Sequence, residues 1–170
     1  DEHTFVENSI SSNGANGINI FNTYVNNYTI QNNTISDNVE NGVKIFASCC
    51  TDTGGIRFIV DNTITLNDGS GIFISSSILH NISGNMISDN IKKGVELVIS
   101  SNNNTIEENE VILNSEHGIS ATGSYYNNIS NNHAAENGVS PQSVSGVSLT
   151  NAHYNNIINN TVEKNAWVGI

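Results

Sequence analysis

Residues that could do chemistry are few in this chain, and they are spread along it. Glu107, Glu108 and Glu110 form its densest acidic group, and a pair of carboxylates can act as general acid and base in glycoside hydrolysis. However, Glu108 and Glu110 would share a face only within a single strand. Arg57 is the only arginine, and no basic residue lies near these acids in the sequence pattern. The sequence therefore assigns no catalytic residue, and it favours a non-catalytic protein while leaving enzymatic activity open.

Metal and cofactor ligands are equally dispersed. Soft-metal sites combine Met, Cys and His, whereas this chain has one methionine and five histidines that share no regular position. We expect the histidines to lie on the surface. The acidic residues would attract calcium, but they have no fixed ligand spacing. The sequence predicts no cofactor-binding residue and no metal ligand, with calcium as the weak alternative.

A repeat positions all of these side chains. Its pattern is Ile/Phe-x-x-Asn-x-apolar-x-x-Asn followed by a closing Gly, and successive units lie 25, 29, 23, 24, 23 and 28 residues apart, which indicates a solenoid. The first Asn of each unit is Asn8, Asn33, Asn62, Asn85, Asn109, Asn132 or Asn160. The second is Asn13, Asn38, Asn67, Asn90, Asn114, Asn137 or Asn165. The closing glycines are Gly17, Gly42, Gly71, Gly94, Gly118, Gly146 and Gly169.

Apolar residues keep step with the asparagines. One set lies three residues before the first Asn, a second lies two residues after it, and two more follow the closing Gly at alternate positions. A period of two residues is that of a β-strand and not of a helix. Each unit therefore holds three short strands. Stacked units would form three parallel sheets around a column of Ile and Val.

The corners between strands are assigned to asparagine and glycine. Asn tolerates left-handed backbone geometry, and its amide can bond to the Asn of the next coil. Gly is expected to supply positive φ at the third corner. We predict an all-β, single-stranded parallel β-helix of about seven coils, with three parallel sheets and Asn ladders at the corners. Residues 1–170 would form a single domain that belongs to a longer solenoid or assembly.

The unit over residues 33–45 resembles the repeat of right-handed parallel β-helix proteins, and the resemblance covers residues 3–170. It is nearest to the NosD-like and archaeal cell-surface repeat type. The resemblance implies a right-handed coil. It implies no single activity, because such proteins include polysaccharide lyases, galacturonases, mannuronan epimerases, phage tailspikes and non-catalytic surface proteins. The Asp-Pro-His-Glu run typical of mannuronan epimerases is missing from this sequence, as is the calcium-and-base arrangement of pectate lyases.

Two breaks in the period, at residues 48–55 and 139–143, predict loops that leave the stack. The first contains Cys49 and Cys50, the only cysteines. Their adjacency permits a strained vicinal disulfide, bonds to other chains or two free thiols. In an oxidising compartment the sequence favours a disulfide whose pairing is undecided.

The surface offers sites for sugars. Six Asn-x-Ser/Thr acceptors are candidates for glycosylation and are expected around one corner of the coil: Asn27, Asn32, Asn81, Asn103, Asn128 and Asn159. Tyr126 and Tyr154 are expected to stack at one corner, and Phe21 and Phe46 at another. Exposed aromatic rings of this kind could bind sugar rings.

Composition narrows the choice of partners. A formal net charge of −11 with only five basic residues speaks against nucleic acid, whose phosphates require a basic footprint. No apolar run approaches the roughly 20 residues of a membrane span. We predict an extracellular or cell-surface structural or adhesive element that assembles into a filament, sheath or coat through its solenoid ends. The alternative is the scaffold segment of a carbohydrate-active enzyme (lyase, hydrolase or epimerase) or a sugar-binding module, with a polysaccharide as partner.

Overall fold

The computed structural model describes residues 2–21, 27–46, 55, 57–139 and 143–170. These residues form twenty short strands in three parallel sheets. Among them no helix has the length and apolar character needed to cross a bilayer. The chain visits sheets A, B and C in turn, so each circuit forms one coil of a β-solenoid.

Seven strands each form sheets A and B, and six form sheet C. Sheet A consists of β1 (Glu2–Val6), β4 (Asn27–Gln31), β7 (Arg57–Val60), β10 (His80–Ser83), β13 (Thr105–Glu107), β16 (Asn128–Ser130) and β19 (Asn156–Ile158). Sheet B consists of β2 (Ser9–Ser11), β5 (Thr34–Ser36), β8 (Thr63–Thr65), β11 (Met86–Ser88), β14 (Glu110–Ile112), β17 (His133–Ala135) and β20 (Thr161–Glu163). Sheet C consists of β3 (Ile18–Phe21), β6 (Val43–Phe46), β9 (Ile72–Ser75), β12 (Val95–Val98), β15 (Ile119–Thr122) and β18 (Val147–Thr150).

Equivalent residues of successive coils lie directly beside one another. In sheet A, Ile59 pairs with Ile30 on one side and with Ile82 on the other, and all three are fully buried. Inward side chains of all three sheets form one continuous apolar core. The predicted solenoid of about seven coils with three parallel sheets is confirmed. The coils stack in sequence order because each coil buries its inward residues against the coils before and after it.

The two asparagine columns form the predicted ladders. Asn85 is typical of the first column: its Oδ1 accepts from the backbone N and the Nδ2 of Asn62, at 3.0 and 2.9 Å. Its own Nδ2 donates to Asn109 Oδ1 at 2.9 Å and to Ile59 O at 2.8 Å. These amides are buried, and a buried amide is tolerated only when its polar atoms are paired. The ladders therefore satisfy the backbone at the corners as well as linking the coils.

The corner conformation differs from the prediction, because the left-handed residue is the one before each Asn and not the Asn itself. Glu7, Asp61 and Glu108 precede first asparagines with φ between 55° and 57°, and Leu66 precedes a second Asn with φ of 57°. A left-handed residue at that point turns the following Asn inward, into the ladder. The hydrogen bonds of the ladder thus override the local preference of residues such as Leu.

The closing glycines do not supply positive φ either, since none of the seven has a φ in that region. The role of six of them is close approach, whereas a Cβ on Gly169 would meet nothing nearer than 3.7 Å. A Cβ at Gly42 would lie 2.5 Å from Ile64 Cγ2, 2.8 Å from Gly71 O and 3.0 Å from Asn67 Nδ2. Only glycine leaves room there for the next coil and its ladder amide.

Candidate functional site

A groove follows the outer surface where sheet B passes into sheet C. Its volume is about 520 Å³ and most of its wall is polar or charged. We call it the charged groove. Its charged and aromatic side chains are Glu40, Lys44, Asp68, Phe73, Lys92, Lys93, Glu96 and Glu116.

Parallel pairing places these side chains in rows along the stack. Lys44, Phe73 and Glu96 occupy the same outward position of β6, β9 and β12. In the turn before sheet C, Gly69 N donates to Glu40 O at 2.8 Å, so Gly69 follows Glu40 in a second row. A Cβ at Gly69 would lie 2.7 Å from the carbonyl carbon of Glu40. This position therefore carries no side chain, and the gap opens the floor of the groove.

One ion-pair network fixes part of the groove. Lys93 Nζ lies 2.6 Å from Glu96 Oε1 and 3.6 Å from Glu116 Oε2. Ser70 Oγ donates to the other carboxylate oxygen of Glu96 at 2.8 Å. Lys93 and Glu96 are half-buried, so these bonds hold both side chains in place and leave them little freedom to bind another group.

Two further lysines are more available. Lys92 is exposed and has no ion pair within the part of the chain that the structure describes, and Lys44 Nζ lies as far as 4.0 Å from Glu40 Oε2. With Lys93, three of the five basic residues of a chain of net charge −11 line this groove. The groove therefore offers ammonium groups, carboxylates and one aromatic ring to a polar ligand.

His117 borders the groove without adding charge to it. Gly94 N donates to His117 O at 3.1 Å, which places His117 one coil beyond Lys93. Its Nδ1 accepts a hydrogen bond from Ser145 N at 2.9 Å. Partial burial, and then the charge of Lys93, lower the pKa of His117 below its ordinary value. His117 is consequently neutral at pH 7 and acts as an acceptor.

A buried polar column lies at the start of sheet A, away from the charged groove. Register and hydrogen bonds place in it Tyr28, Arg57, His80, Asn104, Asn127 and Asn155. Its last three members form a third Asn ladder, with Nδ2 to Oδ1 distances of 3.1 and 3.0 Å. The sequence interpretation missed this ladder. A signal was present, because each of the three asparagines precedes a first Asn by five residues.

His80 is buried, so the prediction that the histidines lie on the surface is wrong for this residue. Its Nδ1 lies 3.1 Å from Asn104 Oδ1, a pure acceptor, so Nδ1 carries the proton. Its Nε2 then accepts from Tyr28 Oη at 2.6 Å, across two coils. Burial and the neighbouring charge of Arg57 lower the pKa of His80 to about 3. His80 is thus a neutral structural link in the column.

The acidic group singled out from the sequence is divided by a corner. Glu107 lies on sheet A and Glu110 on sheet B, with Glu108 at the left-handed position between them. Beside Glu110, His133 Nδ1 is 3.9 Å from its Oε1, and His133 Nε2 is 3.5 Å from Glu163 Oε1. Over residues 2–21, 27–46, 55, 57–139 and 143–170, no three His, Cys, Asp or Glu side chains are placed to hold a metal ion.

The six glycosylation candidates lie on or beside sheet A in three rows, so the expectation of one corner is wrong. One row contains Asn27 and Asn103, where the chain enters the sheet. A second row contains Asn81 and Asn128, on the outer face of the sheet, and the third contains Asn32 and Asn159, where the chain leaves the sheet. The outer-face pair is half-buried and the other four residues are exposed. Their modification stays a prediction.

The aromatic pairs stack as expected. The ring centroids of Phe21 and Phe46 are 5.4 Å apart, and those of Tyr126 and Tyr154 are 5.0 Å apart, with interplanar angles of 6° and 7°. Each ring therefore covers one face of its partner, and a bound sugar would have to use an outer face or the ring edges. Their sugar binding stays a prediction. Cys49 and Cys50, by contrast, lie outside the described residues.

Residues 49–170, more than half of the chain, match the family described as "Right handed beta helix region". The chain belongs to this family, which confirms the resemblance and the right-handed coil. No curated protein matches the chain in sequence.

Solved structures of similar fold include alginate epimerases. A point mutant of the periplasmic alginate epimerase AlgG is 18% identical with a TM-score of 0.72, and the match covers 94% of this chain and 45% of that one. An AlgG double mutant is 20% identical with a TM-score of 0.69, covering 98% and 45%. The A-module of the mannuronan C-5 epimerase AlgE6 from Azotobacter vinelandii is 17% identical with a TM-score of 0.64, covering 98% and 57%. At these identities the likeness shows the fold alone, and the chain spans about half the length of these proteins.

Proposed function

We propose that the chain is the saccharide-holding scaffold of an extracellular or periplasmic β-helix protein that acts on or binds a polysaccharide. The observation that carries this proposal is the charged groove, which gathers three of the five basic residues of an acidic chain around Phe73. The fold similarity to alginate epimerases supports a carbohydrate partner, and the periplasmic location of one of them supports export from the cytoplasm.

The residues of the groove suit a sugar chain. Polysaccharides present hydroxyl groups around rings that have apolar C–H faces, and ligand sites commonly combine an apolar wall with a few polar groups. Phe73 supplies the apolar surface, Glu40 accepts hydrogen bonds from hydroxyl groups, and Lys92 and Lys44 donate to hydroxyl or carboxylate oxygens. Because the row runs along the stack at a spacing of about 4.8 Å, an extended ligand would contact several coils.

Variants of Lys92 test the proposal. We expect Lys92→Gln to weaken binding of a mannuronan oligosaccharide about tenfold, since a hydrogen bond from a charged donor contributes about 1.5–3 kcal/mol. The matched control is Lys164→Gln, because Lys164 is also exposed but pairs with Glu136 outside the groove. Phe73→Ser, which introduces the residue found at the same position of β15 and β18, should also weaken binding.

Isothermal titration with mannuronan and with a neutral glucan of equal length measures these effects. Equal losses in Lys92→Gln and Lys164→Gln would mean that only net charge matters. Absence of binding to either sugar by the unaltered chain would overturn the proposal.

A structural or adhesive element is the second candidate function. It is favoured by the uninterrupted stacking of amide ladders along the coils, which builds a stiff rod, and by the exposed Phe21 and Tyr154. In this role the solenoid ends would contact neighbouring subunits and the sequons would carry glycans. Electron microscopy with intact mass measurement on native material tests it, because regular filaments or sheets of glycosylated subunits are expected.

A further inference from the structure

We propose that Arg57 anchors a second binding site, separate from the charged groove, for a small hydroxylated carboxylate. The site is a pocket of about 370 Å³ beside the start of sheet A, and its walls include Arg57, Phe58, Asn81, Asn103 and Thr105. It shares no residue with the groove, and the inference does not rest on the proposed function.

The first observation is a buried charge that no acid among the described residues compensates. Arg57 is 4% exposed, and Nη1 donates to Ile78 O at 2.9 Å, its one hydrogen bond to the described residues. Among the described residues, its buried Nε has no hydrogen-bond partner and no acid forms an ion pair with it. A buried charge is costly unless it is paired and hydrogen-bonded. A bound anion would supply that pairing.

Among the described residues, the neighbouring histidine cannot take over this role. His80 pairs with Arg57 in the sheet register, but both of its ring nitrogens are engaged, by Tyr28 and by Asn104. A neutral histidine cannot balance a guanidinium. The planar fork of Arg matches the two oxygens of a carboxylate, which is why we assign a carboxylate to this position.

The second observation is an unpaired acceptor in the same pocket. Asn81 Oδ1 is buried and has no hydrogen-bond partner in the part of the chain that the structure describes, whereas its Nδ2 donates to Glu107 Oε1 at 3.3 Å. A donor without an acceptor and an acceptor without a donor thus line one pocket. A ligand that satisfies both needs an anionic oxygen for Arg57 and a hydroxyl group for Asn81. Hydroxy acids and sugar acids have this combination.

The sequence provides a direct spectroscopic reporter. Arg57 is the only arginine, so the Nε–H region of a proton–nitrogen correlation spectrum contains one arginine signal. We expect glycolate to shift this signal in a saturable manner at constant ionic strength. Acetate, which lacks the hydroxyl group, should bind about tenfold more weakly, as expected for the loss of one hydrogen bond in a buried site. Glucuronate distinguishes a sugar acid from a simple hydroxy acid, since it should bind more tightly than glycolate if the natural ligand is a sugar.

Two variants separate the contributions of Arg57 and Asn81 to glycolate binding. Arg57→Lys retains the charge without the fork and should weaken glycolate binding at least about tenfold. Asn81→Val is close in shape to the Thr that pairs with it in β13 but has no acceptor, so it should make glycolate and acetate bind alike. If Arg57→Lys does not fold, the titration of the unaltered chain still decides. A signal that does not respond to glycolate, or that responds equally to chloride, would overturn the proposal.

Discussion

Replacement of Asn90 by alanine measures how strongly an interior ladder residue stabilises the solenoid. The Asn90 side chain takes part in five hydrogen bonds. Its Oδ1 accepts from the backbone N and the Nδ2 of Asn67 at 3.1 and 2.9 Å. Its Nδ2 donates to Ile64 O, Ser88 O and Asn114 Oδ1 at 3.2, 3.0 and 2.9 Å. Alanine would remove all of these bonds and leave buried groups unpaired.

The expected loss follows from those contacts. The amide of Asn90 has two hydrogens for three acceptors, so the five contacts amount to about four full bonds, each contributing about 1 kcal/mol net. We expect Asn90→Ala to lower the free energy of unfolding by about 4 kcal/mol. Asn13 is the matched control, because its side chain makes one ladder bond, to Asn38 Oδ1 at 2.8 Å. Asn13→Ala should cost about 1 kcal/mol.

Guanidinium denaturation followed by circular dichroism compares the two variants. The slope of the free energy against denaturant must stay constant, because a solenoid that unfolds in parts would show a smaller slope. If Asn90→Ala cost no more than Asn13→Ala, the ladder would not act as a stabilising network, and the reasoning from its hydrogen bonds would be wrong.

Two further predictions concern the close packing and the buried histidine. Gly42→Ala places a Cβ 2.5 Å from Ile64 Cγ2 and should lower the free energy of unfolding by about 3 kcal/mol. Gly14→Ala is the control: its Cβ has nothing within 4 Å, so it should change that free energy by less than about 0.5 kcal/mol. Equal denaturation midpoints for the two variants would contradict this. Burial lowers the pKa of His80 from the ordinary 6.5 to about 3, so the unfolded chain binds the proton more readily, and stability should fall by about 2 kcal/mol from pH 6.5 to about pH 4.5. His80→Asn should remove this component, and an unchanged pH dependence of the unfolding free energy would refute it.

The fold was predictable because its determinants recur at fixed intervals. The inward residues and the ladder asparagines occupy the same position in every unit, so period and alternation were sufficient to place them. The backbone conformation of the corners was not predictable from residue type. Leu66 and Glu108 adopt the left-handed conformation although neither favours it. Hydrogen bonds between coils determine that conformation, and local propensity does not show them.

The charged groove could be read from the sequence only in part, because it combines side chains from several positions of the repeat. Lys44 and Phe73 each lie two residues after a closing Gly, so their row recurs in the sequence, but the sequence does not show which other rows border it. Lys93 and Glu116 meet across adjacent coils through side-chain geometry. The third ladder, in contrast, was within reach of sequence reasoning, since Asn104 has the same five-residue offset that relates the two known columns.

The third ladder starts at Asn104 and does not extend to Arg57, which has a mechanical consequence. A pull along the long axis would load the interfaces between coils in series, so the weakest interface would determine the rupture force. Amide bonds reinforce each step from His80 to Asn155, whereas the Arg57 guanidinium makes one bond to the described residues, with Ile78 O as acceptor. The hydrogen bond between Tyr28 and His80 reaches across the intervening coil and opposes its separation. Within this column, resistance to stretching beside Arg57 therefore depends on the longer Tyr28–His80 link, while the strands on either side of Arg57 pair in the same parallel register as elsewhere.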